Sequence, residues 1–444
     1  MNSNKYEFIL KECIMTQTHT IHPSVLSGEV EIPSSKSVLH RAVFCGLLAN
    51  GNTKITNVSY NEDINATLCC AESLGAKVIK VKEENTISIT SSLFNNNCLL
   101  DCNQSGTTLR FIIPITAALG GNFTFIGNGR LPLRPLKELT EVLCSHGITC
   151  KQLENDFLPL EISGHLNAGE YFLPGNVSSQ YLSGLLFALP LLKDNSVITL
   201  TTELESAAYV AMTIDMQSRF NVKIEEKSVE YNDGSIKNQY IIKGNQKYIP
   251  CQTQAEGDWS QAAFFLVAGA IGNKILCKNI NEKTAQGDYT VLEILKKMGA
   301  KIQKSESGIS VFANELHGAD IDMAQIPDLL PPLAVAAALA KGHTRFTGCG
   351  RLRLKESDRL LAISEELRNI GAKTFVEGDN LIIEGSKTLK GGNTSCRGDH
   401  RIAMALSIAA SRCEYPVTIE GTEAINKSYP AFFKDYINLG GVIS

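Results

Sequence analysis

A six-fold internal repeat constrains the fold of this 444-residue chain more than any other feature of its sequence. In each copy, a helix-like segment ends in a small turn and passes into a strand-like segment. The turn residues stand at positions 75, 147, 221, 299, 371 and 440. Successive copies are therefore 72, 74, 78, 72 and 69 residues apart. Such a period indicates six supersecondary units of about seventy residues that must pack against one another.

A second and more apolar helix opens each unit after a short polar set. The polar sets centre on positions 36, 106, 179, 259, 328 and 400, so their spacing keeps step with the turns. Strand-like pieces rich in β-branched residues lie between the two helices of a unit. These pieces span residues 53–58, 123–126, 197–201, 275–280, 343–347 and 417–419. Each unit is therefore predicted to have the order βαβαββ.

The opening helices predict how the units are arranged. Segments 329–340 and 402–410 are apolar almost all round, which indicates helices enclosed by other structure. Three units around a shared axis, with strands outside and helices inside, would bury them. We therefore predict an α/β protein with two pseudo-symmetric lobes, each of three βαβαββ units. If the helices of a lobe are parallel, their positive dipole ends converge on one face that attracts small anions.

Composition excludes several classes of protein. A content of 43% hydrophobic and 20% charged residues is ordinary for a globular protein, and a formal net charge of -4 argues against a nucleic-acid surface. No apolar run is long enough to span a bilayer. The 13 cysteines form no CxxC pair, so we expect reduced thiols in a cytoplasmic protein and no metal site. Residues 1–15 lack the apolar core of a signal peptide and are expected to be a dispensable extension.

The segment 32–43 is the first of the polar helix starts. Ser34 or Ser35 can cap the helix, and Lys36 stands where the loop joins it. Ser37 and Arg41 are four residues apart and share its polar face. A helix N-terminus with these side chains is suited to bind an anion. Taken alone, the segment is more simply interpreted as an ordinary cap with a solvated lysine.

Cations recur at later helix starts, where they oppose the helix dipole unless an anion compensates them. In segment 351–359, Lys355 and Arg359 lie one helical turn apart with Glu356 beside them. The other cations of this kind are Arg130, Arg134, His400, Arg401 and Lys427. For any single helix, a solvated first turn with an internal ion pair is the simpler interpretation. Their recurrence in matched positions favours binding of phosphate or carboxylate groups.

Three acidic residues precede helices in the second half of the chain. Glu256, Asp258 and Asp328 are most simply explained as N-caps. In a cationic cleft, however, Asp328 could accept a proton from a bound hydroxyl, and Glu356 could return one.

The motifs, taken in order, resemble those of the 5-enolpyruvylshikimate-3-phosphate (EPSP) synthase family. They are Pro-Ser-Ser-Lys-Ser-Val-Leu-His-Arg at 33–41, Ser-Gly-Thr-Thr-Leu-Arg at 105–110, Val-Ser-Ser-Gln at 177–180, Leu-Lys-Glu-Ser-Asp-Arg at 354–359 and Gly-Asp-His-Arg at 398–401. The resemblance runs from about residue 16 to the C-terminus. It implies a monomer with the inside-out α/β barrel fold of enolpyruvyl transferases. One lobe would comprise residues 35–254, and the other residues 1–34 with 255–444.

The resemblance also implies a reaction. The enolpyruvyl group of phosphoenolpyruvate would be transferred to the 5-hydroxyl of shikimate 3-phosphate, with release of phosphate, in the shikimate pathway to chorismate and the aromatic amino acids. Addition and elimination would pass through a tetrahedral intermediate. No metal or organic cofactor, nucleic acid or membrane is implied as a partner.

The site residues implied by the resemblance divide between the two substrates. Shikimate 3-phosphate would contact Lys36, Ser37, Arg41, Ser178, Ser179, Gln180, Ser206, Tyr209, Asp328 and Lys355. Phosphoenolpyruvate would contact Lys36, Gly106, Arg130, Gln180, Arg359, Arg401 and Lys427. The catalytic residues would be Lys36, which touches both substrates, Asp328, which accepts the hydroxyl proton, and Glu356, which protonates the methylene carbon.

Three positions depart from the family pattern, namely Gln104, Asn221 and Arg351. The main alternative is the related transferase that acts on UDP-N-acetylglucosamine. That enzyme uses a cysteine in a mobile loop, and segment 125–134 of this chain contains none. A ring of units without chemistry, such as a clamp for nucleic acid, would need a broadly basic surface, whereas this chain is net acidic.

Overall fold

The structure is a computed structural model that describes residues 16–153, 157–231, 234 and 236–444. The expected N-terminal extension, residues 1–15, lies outside these ranges. The described chain begins with two short strands, β1 (Thr18–His22) and β2 (Ser27–Glu31). It then passes into the first of six units.

Three units make up the first half of the chain. The first contains α1 (Lys36–Leu48), β3 (Gly51–Thr56), α2 (Glu62–Ser73), β4 (Lys77–Val81) and β5 (Thr86–Ser91). The second contains β6 (Asn97–Asp101), α3 (Gly106–Leu119), β7 (Gly121–Ile126), α4 (Lys137–Cys144), β8 (Ile148–Gln152) and β9 (Leu160–Gly164). The third contains β10 (Glu170–Leu173), α5 (Ser179–Ala188), β11 (Ser196–Leu200), α6 (Ala207–Arg219), β12 (Ile224–Glu230) and β13 (Ile236–Ile242).

A short strand, β14 (Gln252–Gln254), precedes the second half of the chain. The fourth unit contains α7 (Trp259–Ala270), β15 (Lys274–Lys278), α8 (Val291–Lys297), β16 (Lys301–Ser305) and β17 (Gly308–Phe312). The fifth contains β18 (Asp320–Asp322), α9 (Leu330–Ala338), β19 (His343–Thr347), α10 (Arg359–Asn369), β20 (Lys373–Glu377) and β21 (Asn380–Glu384). The sixth contains β22 (Gly392–Ser395), α11 (His400–Ala410), β23 (Val417–Glu420), α12 (Phe432–Asn438) and β24 (Val442–Ile443).

Each unit contributes to a four-stranded sheet with the same pairing pattern. In the second unit the order is β6-β7-β9-β8, with β6 parallel to β7 and the remaining pairs antiparallel. The other five sheets of the described chain repeat one parallel and two antiparallel pairings. The α/β class is confirmed. The second, third and fifth units have the full predicted order βαβαββ, and strands distant in sequence complete the sheets of the other three.

Three strands complete sheets to which they are distant in sequence. β14 pairs in parallel with β3, and β2 pairs in parallel with β15. β1 lies between β23 and β24. The buried apolar side chains fall into two clusters, one drawn from residues 38–255 and the other from residues 21–32 and 259–439. The chain therefore forms two lobes, and its N-terminal strands pack into the second.

The turn that ends each second helix requires a left-handed backbone. Gly75, Gly299 and Gly371 have φ angles of 102°, 104° and 97°. Asn221 occupies the corresponding position of the third unit with a φ of 63°. Asparagine tolerates this region better than most residues with a side chain, so the departure from glycine at this position preserves the turn.

The opening helices are buried on every side, as predicted. All residues of α7, α9 and α11 are buried. Most residues of α1, α3 and α5 in the first lobe are buried as well. Burial of these apolar helices is the main force that assembles three units into one lobe. None of the described helices combines the length and apolar character needed to cross a membrane.

Two chain segments cross between the lobes side by side. Ser35 N–H donates to the Glu256 carbonyl at 2.7 Å, and Asp258 N–H donates to the Pro33 carbonyl at 2.9 Å. The Asp258 carboxylate accepts from Gln261 N–H at 3.1 Å, which confirms it as the N-cap of α7. Its other oxygen accepts from Lys36 N–H at 3.0 Å, so one buried carboxylate serves both crossing segments.

We expect Asp258→Ala to lower the free energy of unfolding by about 2 kcal/mol, because an N-cap and a second buried amide lose their acceptor. Urea unfolding followed by circular dichroism measures the effect. Asp215→Ala is the matched control, since it removes only the exposed pair with Arg219 in α6 and should cost less than about 0.5 kcal/mol. Equal losses for the two variants would contradict the role of Asp258.

Candidate active site

A cleft lies between the two lobes, with an empty volume of about 1060 Å³ including its open mouth. Its walls include the first turns of α1, α3, α5 and α11 and the short turn that precedes α9. Free backbone N–H groups and positive dipole ends gather at such helix starts. The cleft is therefore suited to small molecules that carry several negative charges.

Most of the site residues predicted from the sequence line this cleft. They are Lys36, Ser37, Arg41, Gly106, Ser178, Ser179, Gln180, Ser206, Tyr209, Asp328, Lys355, Glu356, Arg359 and Arg401. Lys427 lies just behind them, with its Nζ 3.7 Å from Glu356 Oε1 and 2.8 Å from the Gln104 carbonyl oxygen to which it donates.

Arg130 requires a correction to the sequence prediction. It is exposed and does not line the cleft. The 3-10 turn that follows it, Leu131–Leu133, buries Leu131 and separates the two arginines at its ends. Arg134, at the other end of this turn, enters the cleft instead. Its guanidinium lies 3.8 Å from Glu356 Oε1. The two arginines are four residues apart, and the sequence alone does not distinguish them.

The start of α1 presents a lysine that is already paired. Ser35 caps the helix, and Lys36 Nζ donates to Asp63 Oδ2 at 2.7 Å. Burial raises the pKa of Asp63, but the charges of Lys36 and Lys427, with the hydrogen bond from Lys36, together outweigh it and hold that pKa below the usual range. Sequence reasoning missed Asp63, because an acidic residue in the first turn of α2 is typical of any helix start.

Arg41 and His40 have different roles on the same helix. Arg41 donates to the Ser37 carbonyl at 2.7 Å and to the Tyr209 carbonyl at 2.6 Å, so it ties α1 to α6. His40 is fully buried outside the cleft and contacts Thr67 Oγ1 at 2.7 Å. Burial lowers the pKa of His40 to about 3, so it stays neutral and structural.

Gly106 opens α3 where two guanidinium groups approach the backbone. A Cβ at this position would lie 2.6 Å from Arg134 Nη1 and 2.7 Å from Arg110 Nη1, so a side chain here would displace the two guanidinium groups. Arg110 donates to Gln180 Oε1 at 3.1 Å and thereby joins the starts of α3 and α5. Arg110 was not among the predicted site residues, although its charge in an otherwise apolar helix was a signal for it.

Arg359 gathers three carboxylates in the second lobe. Its side chain is 1% exposed, and it donates to Asp399 at 2.8 Å, to Asp328 at 2.8 Å and to Glu356 at 2.7 Å. Asp399 also caps α11. One guanidinium thus joins α10, α11 and the turn before α9, using donors fixed in one plane.

Asp328 is not the N-cap that its sequence position suggested. Its two oxygens accept side-chain hydrogen bonds from Arg359, from Arg401 at 3.1 Å and from Tyr209 at 2.9 Å. Burial raises the pKa of Asp328, but the charges of Arg401, Lys355 and Arg359 outweigh it and hold that pKa well below the usual range. Asp328 is therefore ionised in a cleft without substrates, and anions bound to the same cations would raise its pKa and make it a better proton acceptor.

Glu356 lies in a similar environment. Burial raises its pKa, and the charges of Lys427, Arg359 and Arg134 more than compensate, so the pKa lies well below its usual range. Glu356 is therefore ionised in a cleft without substrates. Anions bound to these same cations would weaken their hold and raise the pKa of Glu356, which would let it carry a proton.

Side chains of the first lobe reach both carboxylates. The Tyr209 hydroxyl donates to Asp328 across the cleft, and Arg134 faces Glu356. The site therefore depends on both lobes. Among the residues that the structure describes, no group of three or more His, Cys, Asp or Glu side chains is arranged to hold a metal ion.

Comparisons with known proteins agree with one another. The family model for EPSP synthase (3-phosphoshikimate 1-carboxyvinyltransferase) matches residues 21–436. A 3-phosphoshikimate 1-carboxyvinyltransferase of Clostridium kluyveri is 47% identical over 96% of this chain and 97% of its own. That of Clostridium acetobutylicum is 45% identical over 95% and 97%. A solved EPSP synthase of Acinetobacter baumannii is 27% identical with a TM-score of 0.77, over 97% of this chain and 100% of its own.

Lys355 gives the cleft a pH dependence that can be measured. Burial, with Arg359 and Arg351 nearby, lowers its pKa to about 8. Above that pH Lys355 loses its charge, so the affinity for sulfate, which does not titrate in this range, should fall by about fivefold between pH 7 and pH 9.5. Isothermal titration calorimetry measures the affinity.

Lys355→Arg is the control for this measurement, because a guanidinium stays charged throughout the range. Asp288 also titrates in this range, because burial raises its pKa to about 7. Its effect on sulfate affinity is common to both proteins and cancels in the comparison. Identical pH profiles for the wild type and Lys355→Arg would contradict the titration of Lys355.

Proposed function

Because the chain belongs to the EPSP synthase family, and so transfers the enolpyruvyl group of phosphoenolpyruvate to shikimate 3-phosphate, we propose that the interlobe cleft binds both substrates. This reaction belongs to the biosynthesis of aromatic amino acids. Relatives at 45–47% identity are named for the shikimate acceptor, which disfavours UDP-N-acetylglucosamine. The observation that carries the proposal is the position of Asp328 and Glu356, side by side around Arg359 in a cationic cleft.

The acceptor, shikimate 3-phosphate, lies against the first lobe near α1 and α5. Its proposed contacts are Lys36, Ser37, Arg41, Ser178, Ser179, Gln180, Ser206, Tyr209, Asp328 and Lys355. Two features support this assignment. The hydroxyls and free amides at the start of α5 suit a phosphate, and Asp328, the base in this scheme, faces the same side of the cleft through Tyr209.

Phosphoenolpyruvate lies deeper, between the cations of both lobes. Its proposed contacts are Lys36, Gly106, Gln180, Arg359, Arg401 and Lys427, with Arg134 in place of Arg130. Gly106 supports this position, since the missing side chain lets two guanidinium groups lie against the helix start, where they can bind an anion. Planar guanidinium donors match the oxygens of phosphate and carboxylate.

The reaction then proceeds by addition and elimination. Glu356 gives a proton to the methylene carbon while the 5-hydroxyl oxygen bonds to the adjacent carbon and Asp328 takes the hydroxyl proton. The resulting tetrahedral intermediate contains a methyl group. In the second step Glu356 takes back one proton from this methyl group, phosphate leaves, and the double bond re-forms. The proton held by Asp328 leaves with the phosphate, so atoms and charges balance.

The division of the chain into two domains is also proposed. We assign residues 35–254 to one structural domain and residues 1–34 with 255–444 to the other, a division that the exchanged strands and the two apolar clusters support for the described residues. A monomeric state and a cytoplasmic location stay predictions from the sequence.

The acceptor assay tests this function. Phosphate release from phosphoenolpyruvate, followed by a coupled colorimetric assay, should require shikimate 3-phosphate and should stay at background with UDP-N-acetylglucosamine. Because a site built around a charged acceptor leaves unpaired buried charges when that acceptor is absent, we expect discrimination of about 10⁴-fold or more. Release with UDP-N-acetylglucosamine, or with neither acceptor, would contradict the proposal.

A further inference from the structure

A short segment of the first lobe is held by side chains of the second. The segment is Leu204–Ala207, immediately before and at the start of α6. Gln325 donates from Nε2 to the Leu204 carbonyl at 2.9 Å, and its Oε1 accepts from Ala207 N–H at 2.9 Å. One amide side chain therefore pairs with backbone groups on both sides of Ser206.

Arg351 holds the same segment from a second direction. Its Nη2 donates to Ser206 Oγ at 2.8 Å and to the Ala324 carbonyl at 2.8 Å, and its Nε pairs with Glu205 Oε2 at 2.5 Å. The Arg351 side chain is 16% exposed. We use the name clasp for Gln325 and Arg351 together with Leu204–Ala207. Every residue of the clasp segment has a hydrogen bond or ion pair to the opposite lobe.

The backbone conformation of Ser206 depends on the clasp. Its φ is 58°, in the left-handed region that a serine adopts only with backbone strain. Such a conformation persists only where the surroundings determine it. The serine directly precedes α6, whose first turn carries Tyr209 and thereby the hydrogen bond to Asp328. The clasp thus fixes both Ser206 and the direction of Tyr209.

We infer that Gln325, Arg351 and Glu205 are positioning residues that form the clasp as the lobes meet and so complete the acceptor site. The inference rests on the proposed function, in which Ser206 and Tyr209 contact shikimate 3-phosphate. Arg351 adds a cation to the cleft, and the clasp explains why this cation is already paired with the Glu205 carboxylate. The clasp does not include the residues proposed to bind phosphoenolpyruvate, so its loss should weaken acceptor binding selectively.

Gln325 and Glu205 are the best probes, because neither lines the cleft among the residues that the structure describes. Steady-state kinetics of Gln325→Ala and Glu205→Ala should each show the KM for shikimate 3-phosphate raised about tenfold, equivalent to the loss of one or two hydrogen bonds. Their kcat and their KM for phosphoenolpyruvate at saturating acceptor should stay within about twofold of the wild type.

Two controls separate positioning from a general structural effect. Gln246 also bridges backbone groups, but its partners at Lys223 and Lys243 belong to its own lobe, so Gln246→Ala should leave the acceptor KM within about twofold. Glu205→Gln keeps an acceptor for Arg351 and should recover part of the lost affinity.

An unchanged acceptor KM in both alanine variants, with circular dichroism like that of the wild type, would overturn the inference. A fall in kcat with no change in that KM would also overturn it, as would an equal rise for Gln246→Ala. A wild-type protein that is not saturated by shikimate 3-phosphate would instead contradict the proposed function, so the two failures are distinguishable.

Discussion

The site depends on one buried guanidinium group, that of Arg359. Three ionised carboxylates from three different elements cannot hydrogen-bond to one another, because each is only an acceptor. Arg359 donates hydrogen bonds to all three. Loss of one partner from a buried ion pair leaves an uncompensated charge at a cost of about 3–5 kcal/mol. Arg359 thus holds Asp399 as the cap of α11 and keeps Asp328 and Glu356 in place, so fold and chemistry meet at this residue.

Several cations of the cleft already face carboxylates of the protein before any substrate binds, although the lining as a whole stays cationic. Lys36 is paired with Asp63, and Lys427 faces Glu356. Substrates that carry phosphate and carboxylate groups would compete for these cations. A bound anion would therefore release Glu356 from its partners, which couples substrate binding to the protonation that the reaction needs. Charge pairing within the protein thus allows Glu356 to change from an ionised carboxylate to a proton donor when substrates bind.

The fold could be predicted from the sequence to a large extent, because six copies of one pattern restrict how strands and helices can pair. The helices predicted at 329–340 and 402–410 appear as α9 and α11 with shifted ends. The position of Asn221 in a left-handed turn agrees with its place in the repeat. The clasp, in contrast, joins residues more than a hundred positions apart and has no local signal in the sequence.

The site was predicted less completely, for physical reasons that the individual residues show. Cations at helix starts identified most of the cleft, since they are unfavourable there without an anion. Arg134 lines the cleft and Arg130 is exposed. This difference depends on the tertiary structure and cannot be read from the sequence of the loop that contains both. Asp328 and Asp258 look alike in sequence, yet only Asp258 caps a helix.

Glu356 is proposed to protonate the methylene carbon and later to take a proton back. Turnover in deuterium oxide tests it most directly, with mass spectrometry of the enolpyruvyl product. We expect deuterium in the product methylene group, because a transient methyl group mixes solvent and substrate hydrogens. We also expect Glu356→Gln to slow turnover by about a hundredfold or more. A product free of deuterium, formed at the normal rate, would rule out this proton transfer.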